Sequence, residues 1–260
     1  MTINAKANAK ANAYTCNDCK DIGSILAIVD AEGREIWKRC DCITRAINKS
    51  RLQFAKVPIE LRNHKINTFD ISLYQTDEGK SLAAQAKRIA ANYVKDFAKY
   101  QGMGKGLYLY NKKPGSGKTR LAVSIGNALW ERYGVSVGFM TVIGLLDKIK
   151  STWSQKDNAT ETLINTICNA DIFIFDDIGT ERPTPWVEEV LFQIINTRKT
   201  SLKPTIFTSN CEAEFLGYQE KLVQRISNMA IPVPFPDESV REMMTMAENG
   251  RLYGELLGEV

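Results

Sequence analysis

The chain has 260 residues, 44% of them hydrophobic and 25% charged, with a formal net charge of +4. That length supports one domain with a sizeable core and a small appendage. No apolar run nears the ~18 residues of a membrane span, and so small a net charge leaves any nucleic-acid contact to a local patch.

Residues 1–14, MTINAKANAKANAY, repeat Ala, Asn and Lys and read as a disordered tail. They lack the apolar stretch of a signal peptide and the arginines of a transit peptide, so the expected compartment is the cytoplasm. Four of the six cysteines cluster as Cys16-x2-Cys19 and Cys40-x-Cys42. Between the pairs, Ser24 to Val29 reads as a strand, residues 30–33 as a turn and Glu35 to Arg39 as the returning strand. A hairpin brings its open ends together, so Cys16, Cys19, Cys40 and Cys42 can converge on one tetrahedral Zn²⁺. Four thiolates leave no open position, which points to a structural site. The competing reading is thiols or a disulfide, and a Cys-x-Cys disulfide would be strained. His64, the only histidine, lies beyond the hairpin. After it, Ile43 to Phe69 reads as a short helix and a linker.

From there strands and helices alternate. GLYLY is an apolar run before NKKPGSGKT, and KTRLAVSIGNALWERYG follows with Leu121, Ile125, Ala128 and Leu129 at helical spacing and Gly134 as a C-cap. VSVGFM reads as a strand and GLLDKIKSTW as a helix. DIFIFDD is a buried strand ending in two acids, WVEEVLFQIINTR a helix, and PTIFTSN a strand with a polar end. The expected fold is therefore α/β, a parallel sheet flanked by helices, with ligands at the carboxyl ends of the strands.

Gly115, Ser116, Gly117, Lys118 and Thr119 read as a phosphate-binding loop, with Lys118 reaching the β- and γ-phosphates and Thr119 ligating Mg²⁺. The usual glycine at the loop's entrance is replaced by Lys112. The glycines nearest the ligand are kept, and Asn111 beside the gap tolerates positive φ. Asp176 ends the buried strand, placed for the Mg²⁺ shell, and Asp177 is placed for the attacking water. Many such ATPases carry Glu at that second acid; the shorter Asp predicts slow hydrolysis. Asn210 is a candidate to position the water, against the plainer reading of a strand-terminating Asn. No Asn-Lys-x-Asp signature is present, which favours ATP over GTP.

Together CNDC…CDC, GSGKT, IFDDIGTE, PTIFTSN and KLVQRISNM resemble, in this order, the AAA+ helicase loaders of the DnaC/DnaI family and its phage relatives, near the IstB transposition ATPases. The resemblance covers roughly residues 15 to 240. It implies a P-loop AAA+ domain without the helical lid of larger relatives, preceded by a four-cysteine zinc hairpin that grips the replicative helicase. It implies that Arg225 is an arginine finger reaching a neighbouring subunit's γ-phosphate; read unaided, Arg225 is equally a helix-surface arginine. The expected divisions are a tail at 1–14, a zinc-binding helicase-interaction domain at 15–60, a linker at 61–75, an ATPase domain at 76–236 and a C-terminal tail at 237–260. The expected cofactors are ATP, Mg²⁺ and Zn²⁺. The expected partners are a hexameric replicative helicase, single-stranded DNA and further copies of the chain, with no membrane. Trp186 and Arg182 are candidates for single-stranded DNA, and Trp186 packed beneath its own helix is an equal alternative. Lys148, Lys150 and Lys156 read equally as a solvated face. Two rivals remain: an IstB-like transposition regulator, and a zinc-ribbon DNA-binding regulator that senses nucleotide.

Overall fold

The structure is a computed structural model. It describes Cys16, residues 18–20, Ile22, residues 24–29, Gly33, and residues 35–40, 63–152 and 159–257. The expected tail at 1–14, the segment at 43–62, Cys42, Trp153 and Lys156 lie outside the described residues. The chain divides into two units, Met1–Gln53 and Phe54–Val260.

In the first unit, β1 (Ser24–Val29) pairs antiparallel with β2 (Glu35–Arg39), with Ser24 opposite Arg39. Gly33 takes φ 80° in the connection, a left-handed conformation that suits glycine. Cys16 and Cys19 precede β1 and Cys40 directly follows β2; all three are buried.

The second unit holds α1 (Asp77–Lys95), α2 (Phe97–Gly102), β3 (Gly106–Tyr110), α3 (Lys118–Tyr133), β4 (Val137–Thr141), α4 (Val142–Thr152), α5 (Ala159–Asn169), β5 (Ile172–Ile178), α6 (Pro185–Thr200), β6 (Thr205–Ser209), α7 (Glu220–Met229), β7 (Ala230–Pro234) and α8 (Val240–Leu257). The strand order is β4-β5-β6-β3-β7 and every pairing is parallel. Alternation along the strands sorts side chains to two faces. Leu107, Leu109, Ile174, Ile206 and Val233 join α1, α2 and α3 in one core. Tyr108, Phe173, Phe175 and Phe207 join α4, α5, α6 and α7 in the other. Helix starts follow local chemistry: Thr76 and Thr184 each accept a backbone N–H of the first turn, and Pro185 opens α6.

Arg198 is wholly buried and ties the second layer to the sheet. It donates to the carbonyls of Ile167 (2.6 Å), Ala170 (2.8 Å) and Pro204 (2.7 Å) and to Thr205 Oγ1 (2.9 Å). It thereby closes the C-terminal end of α5 against the start of β6.

Two expectations change. Within residues 61–75, read as a linker, Ile66–Thr68 form a 3-10 turn, and Phe69 and Tyr74 are buried in the α1–α3 core. Aromatic side chains seek that core, so Phe69 and Tyr74 belong to the domain rather than to a linker. Residues 237–260, read as a tail, carry α8, which buries none of its residues. It is a single helix; no helical bundle follows β7 among the described residues.

Candidate functional site

The ends of β3, β5 and β6 meet where the sheet delivers its carboxyl edge. The chain leaves β3 through residues 111–117 and enters α3 at Gly117, which takes φ 97° and gives the helix no side-chain cap. Gly115 takes φ 79°. A Cβ on Gly115 would stand 2.5 Å from Ser239 Oγ, and one on Gly117 3.2 Å from both Phe69 and Tyr74. Both positions therefore demand glycine. A helix N-terminus without a side-chain cap leaves backbone N–H groups and the positive end of the helix dipole for an anion.

Lys112 replaces the usual glycine at no conformational cost, because neither Lys112 nor Asn111 takes positive φ. The positive-φ role expected of Asn111 is thus corrected. The loop's entrance is held by side chains instead. Asp237 Oδ1 accepts from Lys112 N (2.7 Å) and Lys113 N (3.4 Å). Buried Asn111 donates to the carbonyls of Lys113 (2.8 Å) and Pro236 (2.6 Å). Tyr74 donates to Ser116 O at 2.6 Å, which fixes the far side of the loop.

Lys118 is buried, and its ammonium donates to Asn111 Oδ1, to Asn210 Oδ1 (2.9 Å) and to Ser116 Oγ (3.5 Å). Burial pulls its pKa down to about 8, while Asp177, Asp176 and Asp237 act to keep it charged. Asp176 accepts from Thr119 Oγ1 (2.8 Å) and Thr208 Oγ1 (2.7 Å). Burial, with the neighbouring Asp177 charge adding to it, pushes Asp176 up to about 6. A hydroxyl and a carboxylate held together in a dry site are hard oxygen donors that fit Mg²⁺, and a bound cation would favour the ionised carboxylate. Asp177 takes φ 55°, and its N–H donates to Thr208 Oγ1 at 2.9 Å.

The structure thus brings the site residues into two adjoining hydrogen-bonded groups, Lys118 with Asn210 and Thr119 with Asp176, with the Asp176 and Asp177 charges acting on Lys118. The contacts of Arg225 lie elsewhere, on α7: its guanidinium carbon is 5.9 Å from the Phe192 ring centroid on α6. Trp186 is half-buried against the α4–α7 core, with Lys150 Nζ 5.1 Å from its ring centroid. The sequence reading missed Thr208, Asp237 and Arg241. Arg241 N donates to Gly115 O at 3.2 Å, and its charge bears on Lys118. The polar ThrSer end of β6 was the only visible signal for Thr208.

In the first unit, Cys16 Sγ and Cys40 Sγ are 3.8 Å apart, and Cys19 Sγ lies with them inside a 4.8 Å cluster. Tetrahedral Zn–S bonds of ~2.3 Å set sulfurs about 3.8 Å apart, whereas a disulfide needs ~2.05 Å. The three sulfurs fit zinc.

Residues 94–222 match the family model described as IstB-like ATP binding protein. This stretch holds the loop, both acids and Asn210. It is an IstB/DnaC family domain. Over 229 residues the chain is 26% identical to the phage-like element PBSX protein XkdC of Bacillus subtilis (strain 168), covering 86% of this chain and 82% of that protein. It is 33% identical over 148 residues to the replicative helicase loader DnaC of Buchnera aphidicola subsp. Baizongia pistaciae (strain Bp), covering 56% of each. The chain thus spans little more than half the length of that loader. The crystal structure of the DnaC helicase loader superposes with a TM-score of 0.59 at 25% identity, covering 68% of this chain and 99% of that one. The sheet and its flanking helices are those of a P-loop AAA+ domain of an ATP-binding family.

Proposed function

We propose that this protein is an ATP-switched loader that places a hexameric replicative helicase on single-stranded DNA. The observation that carries the reading is the Lys118–Asn210 and Thr119–Asp176 bonding at the end of a DnaC-like sheet. A nucleotide triphosphate would lie with its phosphates along residues 115–119. Lys118 would meet the β- and γ-phosphates, and Thr119 and Asp176 would hold Mg²⁺, which supplies charge neutralisation there. Asp177 would orient the attacking water and take its proton, and Asn210 would hold that water's position. Arg225 would complete the site of a neighbouring copy.

The three described sulfurs, with Cys42, would hold zinc, and the hairpin they stabilise would bind the helicase. Trp186 with Lys150 beside it offers a stacking face and a phosphate partner to single-stranded DNA. Among the described residues no helix is long and apolar enough to cross a membrane.

The family description names IstB-like ATP binding proteins, and the second reading is a transposition regulator of that kind acting on duplex DNA. The cysteine cluster ahead of the ATPase domain weighs against it. Nucleotide titration tests the site: Lys118→Ala should abolish ATP binding, and normal ATP binding by that variant would overturn the reading of the loop.

A further inference from the structure

Residues 236–242, between β7 and the first turn of α8, are bonded to the phosphate loop or to the start of α1 at nearly every step. Pro236 O accepts from Asn111, and Asp237 from Lys112 and Lys113. Glu238 accepts from Gln75 N (2.6 Å) and Thr76 N (3.2 Å), Arg241 N donates to Gly115 O (3.2 Å), and Glu242 lies 3.1 Å from Lys113 Nζ. This strap roots α8 on the loop. One residue links the strap to the Lys118 ammonium. Asn111 is only 5% exposed, and its side chain uses both donors and its acceptor: Nδ2 on Lys113 O and Pro236 O, Oδ1 on Lys118 Nζ.

We propose that Asn111 is a positioning residue that aims Lys118 at the terminal phosphate and so sets the preference for triphosphate over diphosphate. The inference rests on the reading of the loop as an ATP site. The ammonium stands between two amide oxygens, Asn111 on the β3 side and Asn210 on the β6 side. Without Asn111 its remaining partners are Asn210 at 2.9 Å and the longer Ser116 Oγ contact at 3.5 Å, so it is drawn toward the β6 side, off the line between the loop and its ligand. Misaiming a point charge costs most where it meets the outermost phosphate. Asp237 makes a contrast: it holds the same loop through backbone N–H groups of Lys112 and Lys113. Its charge helps keep Lys118 protonated but it does not hold the ammonium, so its loss should chiefly loosen the loop for both nucleotides.

The test is isothermal titration of the full chain with Mg²⁺–ATP and Mg²⁺–ADP, with thermal unfolding as a check on folding. In Asn111→Leu the Kd for ATP should rise tenfold or more and that for ADP less than threefold. Asn111→Asp, measured alongside, should tilt the ratio the same way, because a carboxylate cannot donate to Lys113 O or Pro236 O and so no longer holds the ammonium in place, and its charge repels a γ-phosphate. Asp237→Ala should raise both Kd values by one factor. Equal factors for ATP and ADP in the Asn111 variants would overturn the proposal. So would failure of both variants to fold while Asp237→Ala folds, which would make Asn111 a scaffold residue. Absence of ATP binding by the unaltered chain would instead sink the nucleotide-site reading itself.

Discussion

Asp177 shows how far a motif can be read one residue at a time. Its place at the carboxyl end of a buried strand was legible, because phosphate chemistry fixes the order of loop, strand and acids. Its backbone was not: φ 55° arises where the β5–β6 register shifts between Phe175 and Ile178. Asp and Asn tolerate the left-handed region better than longer side chains do. The acid at this position is therefore short for a conformational reason. Asp177→Glu should lower stability by ~1 kcal/mol and leave turnover no faster, as read by thermal unfolding and phosphate release. Asp177→Asn should keep the fold and ATP binding and lose turnover; wild-type hydrolysis by it would remove Asp177 from the reaction. The role of Asn111 was hidden for a different cause. Its partner Pro236 is 125 positions away, a distance no local pattern spans.

At the scale of elements, the core strands β3 to β6 were legible as apolar runs with polar ends, and α3 through its spacing and its Gly134 cap, where φ is 64°. Helix α1 was missed because the face it buries is largely alanine, Ala83, Ala86 and Ala90, which carries little periodic signal. Strand β7 was missed because Pro232 and Pro234 argue against a strand. They are tolerated because β7 is the sheet's edge and pairs only with β3. The starts of β4, β5 and β6 are joined by Asp171, which accepts from Ser136 N (2.8 Å), Ser136 Oγ (2.7 Å) and Lys203 Nζ (3.0 Å). Burial raises its pKa, but these bonds outweigh burial and leave it below the usual carboxylate value. A carboxyl more acidic in the folded state stabilises above its unfolded pKa of ~4, and that contribution fades as pH falls through the folded value. Asp171→Ala should therefore cost about 1–3 kcal/mol at pH 7. The difference from wild type should narrow below pH 4; urea unfolding at both pH values measures it. In the hairpin, metal analysis should find about one zinc per chain, lost in a Cys16→Ser, Cys40→Ser double variant. A metal-free but folded hairpin would remove zinc from the account.

For the molecule as a whole, the proposed loader role would draw on other chains in two places. Arg225 is half-buried beside Phe192 rather than among the loop residues, which suits a group that serves another copy's site. Mixtures of Arg225→Ala and Lys118→Ala chains should regain some hydrolysis at mixed contacts. No regain at any ratio, in assemblies shown to mix, would count against the finger. The chain divides into two units, and in the proposed role the first would hold the helicase while the second acted on DNA. From the sequence the order of units was legible through the cysteines and the loop motif. The limits of the ATPase unit were not, because Phe69 and Tyr74 lie in a stretch without a clean period and reveal their burial only against the α1–α3 core.

The central claim is delivery of a helicase, and one measurement reaches it directly. The hexameric replicative helicase of the same organism is incubated with the full chain, ATP and circular single-stranded DNA, and helicase retained on the DNA is quantified. Retention should require the chain and should be lost with Lys118→Ala or on deletion of residues 1–60. Retention unaffected by adding the chain, together with ATP-dependent binding of the chain to duplex DNA, would contradict the loader account and favour the transposition regulator.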